Sequence, residues 1–556
     1  MRTIFENDEL YFVPLGGSEE FGTNLNLYVC DGDFLIADCG IGFADERFPG
    51  IDLLLPDTKF LQQKRDKIKG MIITHAHEDH IGAVCYVWEK LKCPVYALPF
   101  TASVLRKKLD QHGVNNVPIH VVNTKDTVSI GTFDVDFIPV SHSVPDSCSL
   151  FIQTRHGNVV HSGDWNLDPA PVIGEKTQED TFRALSKKGV LAYVGDSTNS
   201  QVDGYSGSEA DVAKGMAEEF KKCDGKIAVT TFASNIGRLI SIVKAAEENG
   251  RSVALVGRSL HRMVGCAYEC SYINDIPDFL SEDDIAKVPD ENLVLVLTGS
   301  QGEHRAAMAR VARGDHPFIR LNKRDTVIFS SRTIPGNERR INVVKNDLSA
   351  AGVRVVSPKE TQNTIHVSGH PCRDEIASML QWVQPACVIP VHGERLQLDT
   401  HAQLAQDCQV NHTLVPSNGS VIRLAPNLPE IIDHIETGNL AVDQRRIIPV
   451  THQSITARRK LQYSGTVHAS VVLNQDLEVI GNIKVDTVGL SCKRNEDCII
   501  PDLQDHIFDT LDQLDDDLIY DEEKIAERLR GSLRRYVMDT LGLRPKTTIH
   551  VTLIDL

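Results

Sequence analysis

Between residues 74 and 80 the chain reads Thr74-His75-Ala76-His77-Glu78-Asp79-His80. Four potential metal ligands, His75, His77, Asp79 and His80, fall within six residues. They cannot all face one way on a helix or a strand, so a loop at the end of the apolar run Met71 to Ile73 must gather them. Imidazole and carboxylate are ligand types that zinc accepts. A lone histidine is more often a satisfied core residue, but the pattern HxHxDH after a strand points to metal.

The surrounding elements have to position that loop. Across the first 200 residues, short β-branched runs alternate with turn signals: Tyr11 to Pro14, Leu25 to Cys30, Phe34 to Asp38, Gly70 to Thr74, Val95 to Leu98, Phe133 to Val140, Ser149 to Thr154 and Asn158 to Ser162. Helical patterns follow His80 and span Thr101 to Gln111, which predicts a strand-rich α/β layer architecture. A capping-box pattern at Ser208 to Asp211 opens a helix running to Cys223. From there to about residue 360, strand-like runs (Lys226 to Thr230, Ser252 to Val256, Leu293 to Leu297, Thr326 to Phe329) alternate with helical ones, as in a parallel sheet. The signals resume with the strand Val388 to Val391. The polar, basic stretch around Arg445 to Arg459 reads as a linker. A small α/β unit closes the chain, with strands at Val467 to Leu473, Gly481 to Val488 and Thr547 to Ile554, and one long acidic helix from about Leu503.

With 556 residues the chain is too long for one core, and three or four domains are expected. No run approaches the apolar length of a membrane helix and the start does not resemble a signal peptide, so the expectation is a cytoplasmic protein with no membrane partner. The 13 cysteines are scattered and Cys266/Cys270 lacks CxxC spacing; buried free thiols are expected. A net charge of −18 argues against coating nucleic acid through a broad basic surface. It leaves room for a local basic channel, since much of the acid lies between Asp502 and Glu523.

The histidine run is the signature of the metallo-β-lactamase superfamily, and later residues resemble its further motifs in order: His142 in Pro139 to Ser143, Asp164 in His161 to Asp164, and His392 in Pro390 to Glu394. The resemblance implies an αββα sandwich in which His75, His77 and His142 hold one metal, Asp79, His80 and His392 the second, and Asp164 bridges them. Two zinc ions per subunit are implied, with manganese as the alternative; such a pair can activate a water and clamp a phosphate for in-line displacement. Asp38, in Ala37 to Gly40, is read as fixing the ligand loop.

Gly195-Asp196-Ser197-Thr198-Asn199, His366-Val367-Ser368-Gly369-His370 and the long insertion before His392 are similar to the β-CASP branch, whose members process nucleic acids. Pro14 to Gly17, Gly22 to Asn24, Thr231 to Asn235, Thr298 to Glu303 and Phe329 to Glu338 resemble the ribonuclease J family over nearly the whole chain. Gly302 to Ala306 departs from that family's pattern but contains no proposed metal ligand. The implied division is 1–205 for the first part of the metallo-β-lactamase domain, 206–362 for an inserted β-CASP α/β domain, 363–445 for the return segment, 446–460 for a linker and 461–556 for a small C-terminal α/β domain.

Several loops have a physical use beside the metals. Ala233, Ser234 and Asn235 stand where a strand yields to the helix Ile236 to Glu248, a ready site for a phosphate. His366, Val367, Ser368, Gly369 and His370 precede another helix, Asp374 to Val383, with the same geometry. The resemblance implies that these residues and Ser331 bind substrate; helix capping or turn formation is the plainer use of Ser234, Ser331 and Ser368. His370 is expected to act as general acid or to hold a phosphate oxygen, oriented by Asp196, and Asp79 to help deprotonate the water. A calcium site formed by Gly50, Asp52 and Asp443 is a further implication. The expected activity is metal-dependent ribonucleolysis, 5′-to-3′ from single-stranded, 5′-monophosphorylated RNA and also internal, with dimer or tetramer formation through the C-terminal domain. Leu503, Ile507, Leu511 and Leu514 can bury one helix face in a partner or in their own sheet. Rival readings are a DNA nuclease of the same branch, a small-molecule thioesterase or lactonase, and a non-catalytic RNA-binding scaffold.

Overall fold

The computed structural model describes residues 5–274, 276–281, 283–334, 336–490, 499–514 and 521–554. Pro335 in the Phe329-to-Glu338 motif and part of the acidic C-terminal segment lie outside the described residues. The chain divides into two compact units, Met1–Phe43 with Leu53–Leu440, and Ala44–Asp52 with Ala441–Leu556.

In the first unit, the fully buried strands Leu10–Gly16 and Leu25–Cys30 and the mostly buried Ile68–Ile73 belong to an eight-stranded sheet that ends with the late strands Ser420–Ala425 and Glu430–His434. A seven-stranded sheet runs from His412–Thr413 through Cys387–Val391, Ala192–Asp196, Gly157–His161, Cys148–Thr154 and Phe133–Pro139 to Thr127–Ile130. Phe12, Tyr28 and Ile72 from one sheet and Phe137, Leu150 and Ile389 from the other share one buried core. On the outer face of the seven-stranded sheet, Phe182, Ile376, Met379 and Leu404 bring three helices against Phe151, Tyr193 and Val388. The αββα layering expected from the sequence is therefore present.

Five parallel strands form a separate sheet in the order Ser252–Val256, Leu293–Leu297, Ile227–Thr230, Thr326–Phe329, Arg354–Val356. Their nearly continuous burial is what a parallel sheet covered on both faces requires. The helix Ile236–Glu248 follows the central strand Ile227–Thr230, from which the chain moves to one side of the sheet; from Thr326–Phe329, the neighbouring strand, it moves to the other. A crevice at such a divergence, beyond the carboxyl ends of the strands, is where ligands bind open α/β sheets.

The second unit carries a three-stranded sheet, Lys484–Val488, Thr466–Leu473, Lys546–Leu553, with the helices Ile500–Leu511 and Glu522–Leu541 packed on it. Two expectations are corrected here. The 446–460 stretch is not an irregular linker: it holds the strand Arg446–Pro449 and much of the helix Gln453–Ser464, whose one buried residue, Ile455, is too weak a signal against so polar a face. The single acidic helix is two helices, and the second buries Ile525, Leu529, Leu533 and Val537, spaced four apart on one stripe. Leu503, Ile507 and Leu511 are buried in the unit's own core and Leu514 packs against it.

Candidate metal centre and substrate loops

Five candidate ligands follow the ends of strands, and Asp79 and His80 lie on the short helix Glu78–Ile81 that comes next. Ile68–Ile73 delivers His75 and His77, Phe133–Pro139 delivers His142, Gly157–His161 delivers Asp164, and Cys387–Val391 delivers His392. The first three of these runs are far apart in sequence from the last, and the parallel register Asp196↔Val391 is what sets His392 beside Asp196.

The expected ligands fall into two groups, His75/His77/His142/Asp164 and Asp79/His80/His392/Asp164, with Asp164 common to both, and Asp164 and His392 also cluster with Asp196 and His370. Within the first, His77 Nδ1 lies 3.1 Å from His75 Nε2 and 3.0 Å from His142 Nε2. Within the second, Asp79 Oδ2 lies 3.1 Å from His392 Nε2 and 3.6 Å from His80 Nε2. Ligands bonded to zinc at about 2.0–2.1 Å in a tetrahedron stand about 3.3 Å from one another, so this donor set fits a cation in each group. Asp164 Oδ2 supplies the sharpest test. It is buried and makes no hydrogen bond, yet His80, His75, His370, His142 and His392 hold nitrogens 3.2, 3.6, 3.7, 3.8 and 3.9 Å from it. An orphaned carboxylate oxygen so surrounded is costly without a cation.

Hydrogen bonds set the tautomers. His80 Nδ1–H donates to Asp38 Oδ2 at 2.8 Å, His142 Nδ1–H to the Gly369 carbonyl at 2.6 Å, and His392 Nδ1–H to Thr198 Oγ1 at 2.8 Å. Each bond leaves Nε2 with its lone pair toward the ligand group. Asp38 also accepts from the Thr74 backbone N–H at 2.8 Å and its hydroxyl at 2.9 Å, which fixes the start of the ligand loop. Thr198 passes its hydroxyl hydrogen to Asp196 Oδ1 at 2.7 Å.

Charge in the pocket is lopsided. Among the described residues, Asp38, Asp79, Asp164 and Asp196 form ion pairs with histidines alone. Burial lowers His75 and takes His77 to about 4 and His142 to about 3, so these imidazoles are neutral and free to act as ligands. Burial also opposes protonation of His80, but Asp164 and Asp38 outweigh it and the group is raised; His392 is raised likewise by Asp164 and Asp196. The carboxylates thus demand positive charge, which protons or metal ions can supply. His370 stands beside this set: its Nδ1 is 2.8 Å from Asp196 Oδ2, and its ring stacks on His392 at a centroid distance of 5.5 Å.

The loops Thr231 to Asn235 and Ser330 to Asn337 leave adjacent strands at the crevice of the five-stranded sheet, where Ser330 N–H donates to Thr230 O at 2.9 Å. Asn235 spends its side chain on capping, accepting from Arg238 N–H at 2.8 Å. Ser368 Oγ is used in a turn, accepting from His370 N–H at 3.1 Å and from Asn199 Nδ2 at 2.9 Å. Among the described residues the Ser234 and Ser331 hydroxyls have no such partner. His142, Ser143, Asn235, Gly237, Val367 and Ser368 line one small cavity. Ala233 and Gly369 flank these residues, and a Cβ on Gly369 would come within 2.8 Å of His142.

Sequence reading missed the support of these loops. Arg238 is fully buried, with Nε 2.6 Å and Nη2 2.8 Å from Glu209, and Nη1 2.7 Å from Ser330 Oγ and 3.2 Å from His366 Nδ1. Burial, then Arg238 and Arg332, hold His366 well below the ordinary value. The neutral ring therefore carries its hydrogen on Nε2, a buried atom with no partner. At the calcium candidate, both Asp443 carboxylate oxygens are taken by Arg458, at 2.9 and 2.7 Å, and Asp52 is exposed. A cation there would have to displace that guanidinium.

Four family descriptions match the chain: "Beta-lactamase superfamily domain" at residues 35–182, "Ribonuclease J, beta-CASP domain" at 224–348, "Zn-dependent metallo-hydrolase RNA specificity domain" at 356–416 and "Ribonuclease J C-terminal domain" at 453–554. A Sinorhizobium meliloti protein named Ribonuclease J is 38% identical, with 98% of each chain covered. One from Helicobacter pylori is 31% identical over 97% of this chain and 78% of its own, and one from Thermus thermophilus 32% over 84% and 83%. A solved Enterococcus faecalis structure titled as a protein of unknown function shares the fold, at TM-score 0.53 and 16% identity, covering 75% of this chain and all of that one.

Proposed function

The chain belongs to the ribonuclease J family, and from that premise we infer that it is a metal-dependent ribonuclease that degrades single-stranded RNA 5′-to-3′ from a monophosphorylated end and also cuts internally. The observation that carries this reading is the orphaned Asp164 Oδ2, shared by two ligand groups beside a cavity lined by His142 and the Val367-to-Gly369 loop. His75, His77 and His142 would hold one divalent ion, Asp79, His80 and His392 the second, with Asp164 between them; zinc suits the imidazole-rich set and manganese is the alternative. Such ions supply Lewis-acid activation of water and of the scissile phosphate.

The protein's own residues do the rest. Asp196 pins His370 Nδ1, so Nε2 is the atom free to hold a proton for the leaving 3′-oxygen. Asp79 takes part in removing the water's proton. Ala233 to Asn235, Ser331 and His366 to Gly369 seat the backbone phosphates, and the terminal 5′-phosphate enters the cavity beside His142, one nucleotide from the metals. Domains divide near residues 205 and 362, the protein works in the cytoplasm, and the C-terminal unit joins subunits into a dimer or tetramer. No helix among the described residues is long and apolar enough to cross a membrane.

The test is digestion of 3′-labelled single-stranded RNA, bearing a 5′-monophosphate or triphosphate, beside matching DNA and a His77→Ala control. Stepwise shortening of the monophosphorylated RNA by the wild type alone is expected. Equal cleavage of DNA would move the reading to a DNA nuclease, and no RNA cleavage under zinc or manganese would overturn it.

A further inference from the structure

Arg332 stands on the loop that follows Thr326–Phe329, at the crevice where the chain diverges in the five-stranded sheet. It is exposed, and among the described residues it forms no ion pair with a carboxylate. By contrast Arg238, one loop away, is buried and neutralised by Glu209. In an acidic protein, with a formal charge of −18, an unneutralised guanidinium at a sheet's ligand crevice is a site for an anion. One of its nitrogens, Nη1, donates to Asn199 Oδ1. Asn199 Nδ2 in turn donates to Ser368 Oγ at 2.9 Å and to the His370 carbonyl at 3.1 Å. Gln301 holds the Arg332 loop from the other side, its Nε2 donating to the Arg332 carbonyl at 2.8 Å and its Oε1 accepting from Ile334 N–H at 2.9 Å. Arg332 is near enough to His366 to help depress that group. The guanidinium is therefore oriented at one nitrogen and keeps its other donors for a ligand.

We propose that Arg332 binds a backbone phosphate of the RNA while braced on Asn199, so that substrate engagement tightens the loop carrying Ser368 and His370. This rests on the ribonuclease reading above and adds the cation that the His366-to-His370 loop lacks. Arg332 is a binding and positioning residue; it is not placed at the reacting atoms.

The experiment measures binding of a 5′-monophosphorylated, phosphorothioate-linked single-stranded RNA, which keeps the backbone charge and resists hydrolysis, to the metal-loaded protein over a salt series. Wild type, Arg332→Gln, Arg332→Lys and Asn199→Ala are compared, and their turnover is measured in parallel on the same RNA with ordinary phosphodiester linkages. Loss of one phosphate contact should lower the log K versus log salt slope of Arg332→Gln by about 0.7 and weaken binding about tenfold. Arg332→Lys keeps the charge and should restore the slope, though without the fork that holds Asn199 its turnover should stay below wild type. Asn199→Ala should keep the slope and lower kcat. If the wild type binds this RNA and Arg332→Gln has the wild-type slope, the proposal is overturned while the ribonuclease reading stands. If the wild type itself fails to bind RNA, it is that reading which falls.

Discussion

Asp38 joins three groups that must not move: the Thr74 backbone and hydroxyl, and His80 Nδ1. Asp38→Asn keeps the size but presents an amide where His80 needs an acceptor. We expect metal affinity at the second group to fall 10–100-fold, the usual cost of losing a ligand's hydrogen-bond partner. Chelator competition followed by elemental analysis reads this directly; two ions held as tightly as in the wild type would refute it. At this scale the sequence was informative where ligands share a loop or end a recognisable strand, and all seven expected ligands meet around one pocket. It was silent on the role of Thr198, whose hydroxyl orients a histidine nearly two hundred residues away, and on the Gly369 carbonyl, which no residue type encodes.

Elements hold the proposed substrate loops through Arg238, which looks in sequence like any charge on an amphipathic helix. Only the fold reveals that its helix is buried on nearly every side, with Leu239, Ile242 and Val243 also inside. Glu209 at the start of the preceding helix is its counter-charge. Removing one partner of a buried pair leaves the other uncompensated, so Glu209→Ala should lower unfolding free energy by about 3–5 kcal/mol. Replacing both, as Glu209→Leu with Arg238→Met, should recover much of the loss in urea titrations, while the Ser330 and His366 contacts remain broken and RNA binding stays weak. Full RNA binding in the double variant would show that Arg238 does not shape those loops. The same limit explains the misread elements: a helix with one buried residue, such as Gln453–Ser464, has almost no apolar period to detect, and the stripe in Glu522–Leu541 was hidden by the acidic run before it.

For the whole molecule, stability against acid depends on buried groups that refuse protons. His401 is fully buried on the helix Arg395–Asp407, with Nδ1 3.0 Å from Ser197 Oγ and Nε2 without a partner. Burial holds it at about 4, below the ordinary 6.5. Between these values the unfolded chain binds a proton there and the folded chain does not, so stability is lost as pH falls from about 6.5 toward 4. At pH 5 this one group should cost the wild type about 2 kcal/mol relative to pH 7.5. His401→Met fills similar space without titrating. It should be less stable than wild type at pH 7.5 by about 1 kcal/mol, for the lost Ser197 contact, yet lose less on acidification. The two proteins should therefore cross near about pH 6 in urea titrations at fixed metal concentration, with His401→Met the more stable by about 1 kcal/mol at pH 5. Parallel pH profiles would mean that His401 takes up its proton as readily in the folded protein as in the unfolded chain, and that this helix packs loosely against the strand Cys387–Val391.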